Sequence, residues 1–184
     1  MRLARISALS LTVVLIVSAC GVEFNSDEGG AADSGKSLDE AAIAAGIIVD
    51  PEALDLQGLY ERDSGYGKDR FCAIRQESGR YDVGVLAVFG ESIQCEGRGV
   101  ASLDAGNVRM TLRRDKEETC ELTATFDGAM LKIAGEVADS CAALCSPRAS
   151  LAGVEIPLID NSKDAATKAK GRDIDRLCED ESDQ

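Results

Sequence analysis

The stretch Asn-Val-Arg-Met-Thr-Leu-Arg at Asn107–Arg113 decides the fold, because its side chains alternate strictly between apolar and polar. In an extended chain Val108, Met110 and Leu112 fall on one face, and arginine and threonine fall on the other. After a short polar connection Cys120–Phe126 repeats the alternation. Two such runs predict neighbouring antiparallel strands, each with one buried face and one face toward water.

Similar short runs extend from residue 58 to residue 160, and turn residues separate them. The turns contain Ser-Gly, Asp-Ala-Gly or Asp-Gly, which are typical of hairpin connections. About eight strands are predicted in this region. They are expected at 58–62, 69–77, 81–89, 93–103, 107–113, 120–126, 130–134 and 154–159. In the run 81–89 both faces are apolar, so we expect both to be at least partly covered.

Sequential strands with short turns predict an antiparallel meander, and we expect it to form a small barrel or a strongly curled sheet. Closure of the sheet removes exposed strand edges. Gly84, Gly97 and Gly99 lie inside strand patterns, where they permit the bulges and kinks that closure requires. A sandwich of two sheets is the alternative. The predicted fold class is therefore mainly β, in one domain with short flanking helices.

A short helix is predicted before the strands. Ser37-Leu38-Asp39-Glu40 has the spacing of a capping box, and Gly46 is a natural helix stop. We expect the side of this helix that carries Leu38, Ala42 and Ile43 to pack on the domain.

A second short helix is predicted after the strands, with Asn161 or Ser162 as its cap, Lys170 as its last residue and Gly171 as its end. Acidic residues follow around Cys178, and we interpret them as a solvated charge run without the spacing of a calcium loop. They are Asp173, Asp175, Glu179, Asp180, Glu181 and Asp183.

The N-terminus has the organisation of an export signal, with Arg2 and Arg5 before an apolar run at 6–17. This run is shorter than the roughly 20 residues that a transmembrane helix needs. Val17-Ser18-Ala19-Cys20 follows and resembles the lipobox of bacterial lipoproteins. The resemblance implies cleavage before Cys20, a diacylglycerol thioether and an N-acyl chain on this cysteine, and anchorage of the chain to a membrane through these lipids.

The residue after Cys20 is Gly21. An Asp at this position would resemble an inner-membrane retention signal. We therefore expect the protein to lie on the periplasmic face of the outer membrane if the source is Gram-negative. Residues 22–36 are rich in Asn, Ser, Asp and Gly, and they predict a disordered tether. The predicted organisation is a signal peptide at 1–19, the lipidated cysteine and tether at 20–36, a helix and lead-in at 37–57, the β domain at 58–160, and a helix and acidic tail at 161–184.

Six further cysteines remain once Cys20 is set aside, an even number that favours three disulfides in an oxidising compartment. They are Cys72, Cys95, Cys120, Cys141, Cys145 and Cys178. Among the 15 connectivities that six cysteines allow, we expect sequential pairing, which joins Cys72 to Cys95, Cys120 to Cys141 and Cys145 to Cys178. A zinc or redox site at Cys141 and Cys145 is the alternative. It is disfavoured because the chain has no histidine and because three residues separate the two cysteines.

The net charge is −13, and removal of Arg2 and Arg5 with the signal would make it −15. Such a surface repels phosphate backbones, so nucleic acid is not an expected partner. A basic envelope protein is a plausible one. The alternative is that the acidity only keeps the domain soluble.

Absent residue types argue against catalysis. Without histidine the chain cannot assemble a Ser-His or Cys-His nucleophile. Carboxylate pairs remain possible, but we find no acid in an apolar strand run where burial would raise its pKa. We therefore expect no enzyme, no catalytic residue, no metal and no cofactor. The phenylalanines of the strand patterns, Phe71, Phe89 and Phe126, are expected in the core.

Ser78-Gly79-Arg80-Tyr81, followed by Gly84 and Val88-Phe89-Gly90, resembles the Ser-Gly hairpin of the periplasmic and membrane-bound lysozyme inhibitors. The resemblance implies a small β-barrel that inserts this loop into the lysozyme cleft, with Ser78 and Tyr81 as target contacts. An ordinary hairpin turn is the alternative.

The sequence therefore predicts a lipid-anchored, non-enzymatic binding or structural module of the cell envelope. Two alternatives remain. One is an inhibitor of a basic lytic enzyme such as lysozyme, suggested by the negative charge and the Ser-Gly turn. The other is a barrel that holds a small apolar ligand, since glycine-rich strands leave room inside.

Overall fold

The computed structural model describes residues 33–114 and 118–179, with side chains from Leu38 onward. The predictions for the signal peptide, the lipobox and Cys20 lie outside the described residues, as do those for Asp180, Glu181 and Asp183. The described residues from Asp39 onward form one compact unit, which carries the eight strands described below. No helix among the described residues is long and apolar enough to cross a membrane.

Eight antiparallel strands close into a barrel in the order of the sequence, with the first strand paired to the last. The barrel prediction is confirmed, and the sandwich alternative is wrong. The strands are β1 (Gly58–Asp63), β2 (Lys68–Arg75), β3 (Tyr81–Val88), β4 (Gln94–Asp104), β5 (Asn107–Arg113), β6 (Cys120–Phe126), β7 (Met130–Ile133) and β8 (Glu155–Asp160).

Alternating side chains fill the barrel interior. In register, Ala101 of β4 lies opposite Met110 of β5, which in turn lies opposite Leu122 of β6, and all three are buried. An aromatic cluster packs in the same core, where the ring centroid of Tyr60 lies 5.1 Å from that of Phe71 and 5.7 Å from that of Phe126. The interior is therefore occupied by the chain's own side chains.

Strand β3 is apolar on both faces, as predicted, and residues 71–74 of β2 are buried on both faces as well. Val83, Val85 and Ala87 belong to the interior core, whereas Leu86 and Val88 belong to a second cluster outside the barrel. Residues 162–179, here named the C-terminal strap, cover that outer face. The second core comprises Cys72, Ile74, Leu86 and Val88 of the barrel and Ala166, Ala169, Leu177 and Cys178 of the strap.

The strap begins with α2 (Lys163–Thr167), whose predicted cap is confirmed because the Ser162 hydroxyl accepts the Ala165 N–H at 3.2 Å. The helix ends earlier than predicted. Beyond it the strap is irregular, with bends and a turn in which the Gly171 N–H donates to the Ile174 carbonyl, and it packs on the barrel. Two of its acids form ion pairs with the barrel, Asp173 with Arg114 and Glu179 with Arg98. Asp173 is exposed, as a solvated run predicts, whereas Glu179 is partly buried.

The N-terminal helix α1 spans Asp33–Ala44, so it starts inside the segment that was predicted as a tether. Its end follows the prediction: Gly46 has φ +68°, and the N–H groups of Gly46 and Ile47 donate to the carbonyls of Ile43 and Ala42. The predicted burial of Leu38 is wrong, since this side chain is 70% exposed. A closed barrel fills its own core, so the core does not need this helix as a cover.

Three disulfides join the six cysteines, as predicted, and Cys120 pairs with Cys141. The other two predicted pairs are wrong, because Cys72 pairs with Cys178 and Cys95 with Cys145. The reason is the strap. It runs back over β2 and brings Cys178 to Cys72, while the loop after the 3-10 helix Asp139–Leu144 brings Cys145 to β4.

Two further expectations need correction, the burial of Phe89 and the role of the strand glycines as sites of bulges and kinks. Phe89 follows the end of β3 and is 39% exposed, so it lies outside the core. Gly84 and Gly99 lie in regular strand pairings and are needed for close approach: an added Cβ would lie 2.2 Å from the Leu177 carbonyl oxygen and 1.9 Å from the Thr111 carbonyl oxygen, respectively. At Gly97 the added Cβ would meet a methyl group of Leu144.

Candidate functional site

The hairpin between β2 and β3 carries the two predicted target contacts. Ser78 is exposed in the turn, where the Gly79 N–H donates to the Gln76 carbonyl and Gly79 has φ +77°. Tyr81 is only 2% exposed. Its ring belongs to the interior core, so it is unsuited to touch a partner directly, and Ser78 alone is placed for contact.

The Tyr81 hydroxyl is part of a polar cluster at this end of the barrel. It donates to Asp55 Oδ1 at 3.0 Å and accepts from the Arg75 guanidinium at 2.7 Å. Burial, together with the nearby Asp55 carboxylate, raises the pKa of Tyr81. Burial also raises the pKa of Asp55, but hydrogen bonds from Gln57, Tyr81 and Arg75 outweigh it and lower that pKa overall. The cluster holds Tyr81 neutral and in place, which is a structural task.

A buried carboxylate holds the strap on the barrel. Glu96 of β4 is fully buried, and its two oxygens accept the backbone N–H groups of Arg172, Asp173 and Ile174 at 2.9, 3.0 and 3.1 Å. The Gln94 amide donates to the same carboxylate at 3.2 Å. Consecutive backbone N–H groups turned toward one anion form a nest, a common anion-binding arrangement of backbone. Here the anion is a side chain of the same protein.

The expectation that no acid is buried in a strand is wrong. Besides Glu96, Asp69 of β2 is buried, where it accepts the Val88 N–H and pairs with Arg62. Asp82 of β3 lies under the strap, and burial raises its pKa to about 6, with the neighbouring Glu179 carboxylate adding to the effect. The strap itself covers this carboxyl, so strand periodicity could not reveal the burial.

Opposite the strap, the outer face of β5, β6 and β7 is open and carries two adjoining grooves. The first has a volume of about 400 Å³. Two cations, Arg109 of β5 and Lys132 of β7, line it together with the side chains of Asn107, Thr123 and Thr125. No carboxylate lines this groove among the described residues.

The second groove has a volume of about 430 Å³ and shares Arg109 and Thr123 with the first. Its far side carries Glu121 and Glu136. The two grooves therefore form one depression with a cationic end and an acidic end. The sequence predicted that the polar faces of Asn107–Arg113 and Cys120–Phe126 point to water, but not that Arg109 and Lys132 line one groove.

The register explains that juxtaposition. Arg109 lies directly opposite Thr123, and Thr125, two residues along β6, lies opposite Lys132. These positions share the outer face, so the two cations lie on either side of one strand, displaced by one pleat. Alternation alone does not fix the register between neighbouring strands. The sequence pattern therefore could not show that these two side chains line one groove.

No group of three or more acids or cysteines in the part of the chain with described placement could hold a metal ion. Comparison of the chain with known protein families, curated proteins and solved structures finds no match.

Proposed function

We propose that this chain is a lipid-anchored, non-enzymatic protein of the cell envelope, whose stapled barrel presents a binding surface on its outer face. The observation that carries the proposal is the state of the cysteines. Six of the seven pair with one another in the barrel domain. The seventh, Cys20, stands in the lipobox-like Val17-Ser18-Ala19-Cys20.

Both halves of this observation support an exported protein. Three disulfides are typical of oxidising compartments, and a lipidated cysteine would tether the domain to a bilayer. A binding role is favoured over catalysis because the chain has no histidine. Its open grooves are also lined by cations and by side chains that can form hydrogen bonds.

The two alternatives receive less support. A lysozyme-inhibiting hairpin would have to work with Ser78 alone, since Tyr81 is buried. An apolar ligand inside the barrel would have to displace the packed rings of Tyr60, Phe71 and Phe126.

Expression of the full chain in a bacterial host with an alkyne-labelled fatty acid tests the anchor. We expect label on the protein, recovery of the protein in the membrane fraction, and an N-terminal peptide that starts at a doubly modified Cys20. Cys20→Ala should abolish the label and release the protein from the membrane. Ser18→Ala is the matched control, because it retains a small residue in the lipobox and should be labelled normally. An unlabelled wild-type chain would contradict the proposal.

A further inference from the structure

We propose that the groove between Arg109 and Lys132 binds an anionic saccharide, a sugar segment that bears a carboxylate or a phosphate group. This inference deepens the proposed function, on which it rests, by naming the ligand class of the outer face.

The charge of the groove is opposite to that of the protein. The chain has a net charge of −13, yet the first groove is lined by two cations and, in the described chain, by no acid. Arg109 forms no ion pair with any residue the structure describes. Lys132 pairs with Glu155 at 3.9 Å, and both side chains are about half exposed. Arg109 is therefore available to an external anion, and such an anion can displace the long, solvent-exposed pair at Lys132.

Geometry favours an anionic oxygen group between the two side chains. A guanidinium presents a fork of donors that matches a carboxylate or phosphate, and an ammonium adds a second charge from across β6. Arg109 lies opposite Thr123, and Lys132 lies opposite Thr125. The two threonines thus form the floor between the cations.

The uncharged polar residues of the lining suit sugar hydroxyls, and Val108, Ala124, Ile133 and Ala134 complete the groove. Asn107, Thr123 and Thr125 offer an amide and two hydroxyls, each able to donate and to accept. None of these three side chains is used in a described side-chain hydrogen bond within the structured part of the protein. A ring bearing several hydroxyls matches this set better than a compact inorganic anion, which would use the cations alone.

An acidic peptide is the less favoured ligand. Peptides commonly bind a sheet by adding a strand to a free edge, and the eight described strands close into a barrel in which each strand has two neighbours. Peptide sites also rely on apolar or aromatic anchors, and no aromatic residue lines either groove. An extended acidic peptide would find cations here but no aromatic anchor.

The test is isothermal titration of the full chain in detergent with four ligands: a galacturonate tetramer, its methyl ester, a phosphorylated maltotetraose and tetraglutamate. We expect binding of one or both acidic sugars and none of the neutral ester. Binding of the galacturonate tetramer assigns a carboxylate ligand, and binding of the phosphorylated sugar assigns a phosphate ligand. Arg109→Gln should weaken binding about tenfold or more, and Lys132→Gln should weaken it by a similar factor, since each removes a charge-assisted hydrogen bond.

Arg113→Gln is the matched control. Arg113 lies on the same strand and the same exposed face but outside both grooves. It is four residues from Arg109, about 13 Å along the strand, which exceeds the Debye length of about 8 Å at physiological salt. Its loss should change the affinity less than twofold. Circular dichroism of each variant verifies that the fold is retained.

Four outcomes would overturn the proposal: equal binding of the methyl ester, equal binding of tetraglutamate, equal weakening by Arg113→Gln, or no binding of either acidic sugar at millimolar concentration. None of these depends on lipidation. The labelling experiment at Cys20 and the titration at Arg109 therefore fail separately.

Discussion

The carboxylate of Glu96 on β4 accepts the backbone N–H of Arg172, 76 residues further along the chain, at 2.9 Å. It also accepts the N–H groups of Asp173 and Ile174. The Arg172 guanidinium donates to the carbonyls of Tyr66, Gly90 and Glu91. Arg172 and Glu96 together fasten the strap to two loops and one strand. This anchoring leads to the first prediction.

Glu96→Ala should destabilise the protein by about 3 kcal/mol or more, because it leaves several buried N–H groups without an acceptor. Urea unfolding with the disulfides intact measures the effect. Glu77→Ala is the matched control, since Glu77 is exposed in the β2–β3 turn and should change the free energy of unfolding by less than about 0.5 kcal/mol. Equal stability of the two variants would show that the nest does not hold the strap.

Asp82 predicts an unusual pH dependence of stability. Burial raises its pKa from 3.8 to about 6, with the Glu179 carboxylate adding to the effect and Arg98 opposing it. Between these two pH values the folded state binds more protons than the unfolded state, so the contribution of this group to stability falls as pH rises. The shift corresponds to at most about 3 kcal/mol. Screening by solvent reduces the expected effect to about 1 to 2 kcal/mol.

Asp82→Asn isolates this contribution. The amide oxygen can still accept the Glu179 N–H, which donates to Asp82 at 2.8 Å, and the variant does not titrate. Calorimetry at pH 4, 5, 6 and 7 should show the variant gaining stability relative to the wild type as pH rises from 4 to 6, and little further change above. A constant difference across the series would contradict the raised pKa. The wild-type curve alone is not diagnostic, since Asp127 and Asp160 have lowered pKa values, held down by hydrogen bonds from Ala129 and Ser162, respectively, and act in the opposite direction.

Gly84 tests how closely the strap approaches the barrel. A Cβ at this position would lie 2.2 Å from the Leu177 carbonyl oxygen, which belongs to backbone and cannot rotate away. Gly84→Ala should therefore lower the free energy of unfolding by about 3 kcal/mol and speed tryptic cleavage after Lys170 and Arg172. Gly135→Ala meets no atom within 4 Å and should leave both measurements nearly unchanged. The prediction fails if the two alanine variants behave alike.

The barrel was predictable because its information is local. Alternation in Asn107–Arg113 and Cys120–Phe126 sets which side chains face inward, and glycine-containing turns mark where each strand ends. Hairpin-linked strands pair with their sequence neighbours, so the order of the sheet follows from the order of the chain. Closure needed only the pairing of β1 with β8.

The strap was not predictable for the opposite reason. Its polar anchors join residues such as Glu96 and Arg172, and its disulfide joins Cys72 and Cys178, 106 residues apart. Neither contact leaves a periodic pattern, and the strap's acids resemble a solvated tail when read alone. The groove was missed for a related reason, since Arg109 and Lys132 become neighbours only through the alignment of three strands.

The disulfide connectivity has a consequence for how the protein matures. If the chain is exported N-terminus first, as the proposed function implies, Cys72 and Cys95 emerge before either native partner, Cys178 or Cys145. An oxidant acting on the thiols in order of appearance would join these two, and the mispaired bond would have to be exchanged through a mixed disulfide. We therefore expect isomerisation, more than oxidation, to set the yield of the mature protein. Hosts that lack a disulfide isomerase should accumulate the Cys72–Cys95 species.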